Sequence, residues 1–384
     1  MKVIKIILII IIFLGLGFLY MDFYHSPKVI KSQLIEVIDN KYAYRAPGLV
    51  IQAVYGDSIW ASRGYTLYKS NDGGATFVRQ FKVPTPLNIH NILSRSRIAR
   101  NHFVRHEMIE FVKTHHGTYL VFSGGTIYRS ADKGGNFYRV HNLKYHGYKV
   151  GRGVMPLGIT IDNNNNIYYG DYGRNINKDT VAIYRSVDDG KTWERFYSYP
   201  PGYIRHIHSV QYDRYTDKVW ATTGDSDTAS TIGYFKSAES DITVALSGGP
   251  MYCPVSLVFT ESKVYWGSDK PSQQNYICSF NRETGKVDLL VEIDGPVYYS
   301  TILKDGTIVK ATSVDGGRGE WDNKSTVWIT DDGLKWNKYL AIKKRKGRGV
   351  NANSRFPRGE EPDRLILNFL NTVNYHKDIL IFKN

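Results

Sequence analysis

Beyond residue 30 the chain is written in short apolar runs broken by polar turns, and long segments at helical period are hard to find. The runs come in fours. "PLGITID", "NIYYGDY", "VAIYRS" and "TWERFYSY" form one set; "RHIHSVQYD", "KVWATTGD", "TIGYFKS" and "ITVALSG" form the next. One turn recurs between the third and fourth runs: "YKSNDGGATF" from Tyr68, "YRSADKGGNF" from Tyr128, "YRSVDDGKTW" from Tyr184, and a shorter "WITDDGLKW" from Trp328. Ser70, Ser130 and Ser186 open the first three, 60 and 56 residues apart; Thr330 opens the fourth, 144 residues on. That gap leaves room for two degenerate copies, near Ser237 and Ser279. A period of about 50 residues with four antiparallel strands predicts an all-β fold, a β-propeller of four-stranded blades.

Counting from Gly48 gives six blades, ending at about residue 342. "DRLILNFLNTVNYHKDILIFKN" at the C-terminus and "SQLIEVIDN" near the N-terminus are spare strands. Pairing Ser32–Asn40 with the C-terminal strands closes a seventh blade and leaves no bare sheet edge. Seven blades are expected, with six or eight open.

The first segment reads differently. From Val3 to Tyr20 the only charge is Lys5, and Lys2 and Lys5 precede a run of 15 apolar residues counted from Ile6. This predicts an N-terminal transmembrane helix, a little short of the ~20 residues of a full span, with the body exported. A cleaved signal peptide is the alternative, with Gly15 and Gly17 at the cut. The domains expected are 1–21 as membrane anchor or signal, 22–31 as stalk and 32–384 as propeller. The body is extracytoplasmic on either reading, and secreted if the segment is cleaved.

Composition adds little to the fold and something to the function. The chain of 384 residues has 29 Tyr and 35 Gly, and 50 Lys+Arg against 36 Asp+Glu, a formal charge of +14. A basic surface favours anionic partners. No nucleic-acid signature is present, and nucleic acid is not expected. Cys253 and Cys278 make no disulfide framework and show no metal spacing; two unlinked buried thiols are expected, with a bridge as the alternative. No cofactor and no metal site are implied.

The recurring turn follows S-x-D-x-G-x-T-[FW]. The copies are Ser70, Asp72, Gly74, Thr76, Phe77; Ser130, Asp132, Gly134, Asn136, Phe137; and Ser186, Asp188, Gly190, Thr192, Trp193; the copy with Asp332 is one residue short before Trp336. On these residues the chain resembles the Asp-box (BNR-repeat) propellers of the sialidase-like superfamily. The resemblance covers most of residues 48–342. It implies a structural role for Asp72, Asp132, Asp188 and Asp332, with structural Ca²⁺ as a minor alternative. Such propellers include sialidases, other glycosidases, lyases and non-enzymes, so activity is not implied.

Chemistry belongs on the face opposite those turns, on loops joining blade to blade and second strand to third. His206 and His208, two apart on an inner strand, point to one side. With Tyr172 and His106 they are the candidate catalytic groups, because imidazole is a general base near neutral pH. Arg174, Arg205, Arg105, Asp225, Arg318 and Trp321 are the candidate substrate-binding residues, suited to a carboxylate and a sugar ring. The expected ligand is an anionic glycan or polysaccharide, cleaved by a uronate lyase or glycosidase reaction. No Phe/Tyr-Arg-Ile-Pro sequence stands near the first blade, which argues against a standard sialidase. A non-catalytic glycan- or protein-binding propeller in a cell-surface assembly is the alternative.

Overall fold

A computed structural model describes residues 5–10, 12–13, 15–17, 26–86, 108–147, 150–156, 158–224, 226–236, 239–270, 272–318, 320–346 and 351–383. It is a seven-bladed β-propeller. Blades 1 to 6 are four-stranded and span 50–82, 108–142, 159–199, 207–247, 257–293 and 297–343. Blade 7 is composite. Its inner strands Asn353–Arg355, Ile366–Leu370 and Asp378–Phe382 come from the C-terminus; Lys41–Ala46 and then Gln33–Ile38 complete it from the N-terminus. The pairing expected of Ser32–Asn40 falls one strand further in. Lys41–Ala46 meets Asp378–Phe382, with Ala43 opposite Phe382, and Gln33–Ile38 takes the outer edge.

Residues 26–31 are not stalk. Val29–Lys31 pairs with the outer strand Thr76–Lys82 of blade 1, and Ser26 Oγ lies 3.0 Å from Thr66 Oγ1. At the N-terminus, residues 5–10, 12–13 and 15–17 are helical, with exposed apolar side chains such as Ile6 and Phe13. Among the described residues no helix is long and apolar enough to cross a membrane.

The core lies between blades. Seven clusters of buried apolar residues fill the seven interfaces, so the ring has no unpacked face. The recurring turns lock those interfaces. Asp188 accepts from Ser186 Oγ at 2.9 Å, from the Lys191 and Thr192 amides at 3.0 and 2.9 Å, and from Thr192 Oγ1 at 2.7 Å. Asp72, Asp132 and Asp332 repeat the pattern, and the hydrogen bonds on Asp132, that of the Asn136 amide foremost, hold its carboxyl at about 2. Gly190 has φ +83°, and a Cβ there would lie 2.6 Å from Leu120 of blade 2, so only glycine fits. Trp193 packs against Phe122 of the same neighbour. Asp188→Ala should lower unfolding free energy in urea by about 1–3 kcal/mol, the usual effect of unpairing such groups. It should leave the cavity described below unchanged, because the turn is on the opposite rim.

Two further features set the site. The first strands carry an extra residue near their start. In blades 1, 4 and 6 the register skips Gln52, His208 and Tyr298. Such a bulge re-aims a side chain. In blade 1 it is used for joining: Gln52 donates to Ser62 Oγ at 3.0 Å and accepts from the Phe111 amide of blade 2 at 3.0 Å. The second feature is a plug. After Asn353–Arg355 the chain crosses the channel's far end. Arg358 and Gly359 pair in parallel with Ala53 and Val54 of blade 1. Arg358 Nε lies 2.9 Å from Glu110 Oε2 of blade 2, and its guanidinium donates to Ile159 O of blade 3. Glu361 meets Arg214 of blade 4 at 2.8 Å, and Pro362 O accepts from the Lys304 amide of blade 6 at 3.0 Å. The propeller is therefore a cup, open on one face.

One buried amine lies apart from both. Lys310 of blade 6 is fully buried and donates to Ser300 Oγ at 3.1 Å and to Tyr265 O of blade 5 at 3.4 Å. Burial pulls its ammonium from 10.5 down to about 7, with Cys278 opposing. Between those values the unfolded chain holds a proton that the native state has lost. Stability should therefore rise with pH from about 7 toward 10.5, by up to ~1.4 kcal/mol per pH unit. Urea midpoints of wild type and Lys310→Met across pH 7–9 check this: the variant should lack that slope.

Candidate functional site

A cavity of about 610 Å³ opens on the face away from the recurring turns. Its walls come from blades 3 to 7. In blades 4 to 7 the start of the inner strand supplies a residue directly before a serine: His208, Val255, Tyr299 and Asn353, preceding Ser209, Ser256, Ser300 and Ser354. The loops between second and third strands supply Tyr172, Asp269, Lys270 and Asn371. Arg152 reaches in from the small hairpin of His146–Gly147 and Gly151–Arg152.

Three of the predicted residues meet here. Tyr172 and His206 have ring centroids 4.3 Å apart, and His206 and His208 5.2 Å apart. His206 Nδ1 is 2.8 Å from Gly173 O. A carbonyl only accepts, so this nitrogen carries the proton and the neutral ring has its lone pair on Nε2. His208 is 5% exposed. The bulge turns it inward, while Ile207 packs into the interface of blades 3 and 4. His208 Nδ1 lies 3.3 Å from Pro254 O and 3.9 Å from Cys253 Sγ.

The predicted arginines do not line the cavity. Arg205 is exposed, because its neighbour His206 faces in and successive residues of an extended chain face opposite ways. Arg174 is exposed past the point where its amide donates to Val150 O at 2.8 Å. Arg318 tops an exposed turn whose Gly316 amide is capped by Glu320 at 2.9 Å. Trp321 is half exposed beside the cavity: its indole donates to Gln274 at 2.9 Å and Lys338 Nζ stands 5.4 Å over its ring. His106, Arg105 and Asp225 lie outside the described residues. Asp72, Asp132, Asp188 and Asp332 are on the far rim.

The cations at the cavity are instead Arg152 and Lys270, the latter 3.3 Å from Asp227. Tyr298 donates its phenol to Asp315, and burial, with Asp269 and Asp315 close by, raises it above the usual phenol range. It stays neutral. Burial also raises Asp315. Gln273, Asn351, Asn353 and Asn371 add amides. Neither cysteine is in a disulfide; Cys253 leads into blade 5 and Cys278 lies within it. The residue-before-serine pattern is visible in the sequence and would have found Val255, Tyr299 and Asn353. Nothing in the spacing marks Cys253, Asp269 or Arg152.

The fold defines the class: a seven-bladed β-propeller with an open, polar cavity on one face. No family model matches the chain, and no curated protein matches it. Solved structures do. An oligogalacturonate lyase from Vibrio parahaemolyticus superposes with a TM-score of 0.60 at 10% identity, over 92% of this chain and 97% of that one. An oligogalacturonate lyase in complex with manganese gives 0.59 at 11%, over 93% and 97%. A GH74 xyloglucanase from Xanthomonas campestris gives 0.54 at 12%, over 81% of this chain and 47% of that one. At these identities the likeness is one of fold.

Proposed function

We propose that this protein is a membrane-anchored, extracytoplasmic propeller that binds uronate-containing glycans in its cavity and cleaves them by β-elimination. The observation that carries this is the convergence of Tyr172, His206 and a cationic Arg152 on one amide-rich cavity. The amides and phenols suit sugar hydroxyls. Arg152 and Lys270 suit the carboxylate, whose neutralisation acidifies the adjacent C5 proton. His206 Nε2 takes that proton, the C4–oxygen bond breaks, and the Tyr172 phenol gives its proton to the leaving oxygen. The product carries an unsaturated uronate. The oligogalacturonate lyases of the same fold support this reading, as does the resemblance of the recurring turns to the Asp-box propellers. The apolar run before residue 20 supports the anchor. Ser26 sits by the turn between second and third strands of blade 1, on the open rim, where an anchor preceding it would join the propeller.

The test is binding and turnover on polygalacturonate, with a neutral xyloglucan as control. Wild type should bind the uronate polymer, more weakly as salt rises, and should generate unsaturated-uronate absorbance. Arg152→Met should weaken binding about 10-fold, the scale of one charge-assisted hydrogen bond. Equal binding of the neutral polymer would refute the uronate assignment. Salt-sensitive binding without product would assign a non-catalytic glycan-binding propeller.

A further inference from the structure

We propose that His208, Cys253 and Asp269 form a binding site for a zinc-class divalent metal ion, open to the cavity at its fourth coordination position. The three residues come from three separate segments of blades 4 and 5. Their ligand atoms all lie within 4.8 Å of one another, the one such group among the described residues. His208 and Cys253 are 5% and 1% exposed, so this is an interior cluster at the cavity wall rather than a surface one.

The backbone around the cluster is fitted to it. A Cβ on Gly224 would lie 2.2 Å from Cys253 Sγ and 2.3 Å from His208 Cε1. Any other residue there would push thiol and imidazole apart. Ligand atoms around a tetrahedral ion with ~2.0–2.3 Å bonds stand about 3.5 Å from each other. His208 Nδ1 donates to Pro254 O at 3.3 Å, so the lone pair that a metal takes is on Nε2, and small side-chain rotations bring the three ligand atoms from within 4.8 Å of one another to that spacing.

The donor types choose the metal. A thiolate beside imidazole and carboxylate suits Zn²⁺ or Co²⁺, whereas Ca²⁺, Mg²⁺ and Mn²⁺ prefer oxygen-rich sets. Three protein ligands with an open fourth position is the arrangement of a zinc site that also takes water or a ligand. On binding, the sulfur–metal bond forms as the thiol proton leaves to solvent. Cys278 is no competitor: burial pushes its thiol up to about 12, which keeps it protonated. The site stands on these three side chains and does not depend on the glycan reading.

The test uses the full chain in detergent, stripped with a chelator and titrated with Zn²⁺ or Co²⁺ alone. Wild type should take up about one ion per chain, release a proton and melt at higher temperature. The cobalt form should show a near-ultraviolet thiolate-to-metal absorption. Cys253→Ser should abolish that absorption and weaken Zn²⁺ binding at least ~100-fold, the upper end for lost outer-shell partners. Asp269→Asn should weaken it at least ~10-fold, and Cys278→Ser should leave it unchanged. Should Cys253→Ser fail to fold, the wild-type cobalt spectrum and the Asp269→Asn titration decide. Sub-stoichiometric uptake, a cobalt form without the absorption, or wild-type affinity in Asp269→Asn would overturn the site.

Discussion

Replacing His206 by alanine is expected to lower turnover on a uronate polymer by ~10²–10⁴-fold, the range that a positioned general base contributes. The ring is held on two sides. Its Nδ1–H donates to Gly173 O at 2.8 Å, and Tyr172 packs 4.3 Å from its centroid. Both contacts fix the ring at the cavity wall. The variant should lose kcat while KM moves little, because in the proposed reaction the carboxylate goes to Arg152 rather than to the imidazole. Its fold should lose only about 1 kcal/mol, the value of one hydrogen bond. The pH profile adds a readout that a structural role would not move. Wild-type kcat/KM should rise as the imidazole loses its proton, and that limb should vanish in His206→Ala. An unchanged kcat would remove His206 from the reaction.

Arg358→Ala is expected to destabilise the protein by about 3–5 kcal/mol, the cost of stranding one half of a buried ion pair. Glu110 is 3% exposed, and Arg358 Nε stands 2.9 Å from its carboxylate. The same guanidinium donates to Ile159 O, so the substitution also releases blade 3 from the plug. The double variant Arg358→Met, Glu110→Leu should recover most of the loss, because neither charge of the pair is then left without its partner. Urea denaturation of the two variants against wild type decides it. A single variant within about 1 kcal/mol of wild type would mean that water reaches Glu110 and the floor of the cup is open.

Much of the architecture was legible because blades repeat. Ser70, Ser130 and Ser186 mark equivalent turns, and a turn that recurs at a fixed period must do the same job each time. Those turns fixed the strand order and hence the face opposite, where Tyr172, His206 and His208 come together. What escaped was whatever occurs once. The bulge at His208 leaves no residue signature; it is an extra residue in one register. Of the described residues in 343–364, Asn351 and Asn353 line the open cavity, while Arg358 to Pro362 run under the opposite end. Arg152 took the place expected of Arg174 because a two-stranded hairpin, too short to show as a pattern, carries it inward. Cys253 and Asp269 lie 16 residues apart with two strands between, a spacing that resembles no metal motif.

The composite seventh blade bears on how the molecule is made. Synthesis runs from the N-terminus, so after Val29–Lys31 the strands Gln33–Ile38 and Lys41–Ala46 are the first of the ring to leave the ribosome. Their partner Asp378–Phe382 is the last. Every nascent chain therefore carries an unmatched hairpin edge while some 330 intervening residues are translated, a pairing of high contact order. Until the final strand arrives, that edge can be capped by another copy as readily as by its own tail. A chain stopped a few residues early would hold six finished blades and still be a sticky, open ring.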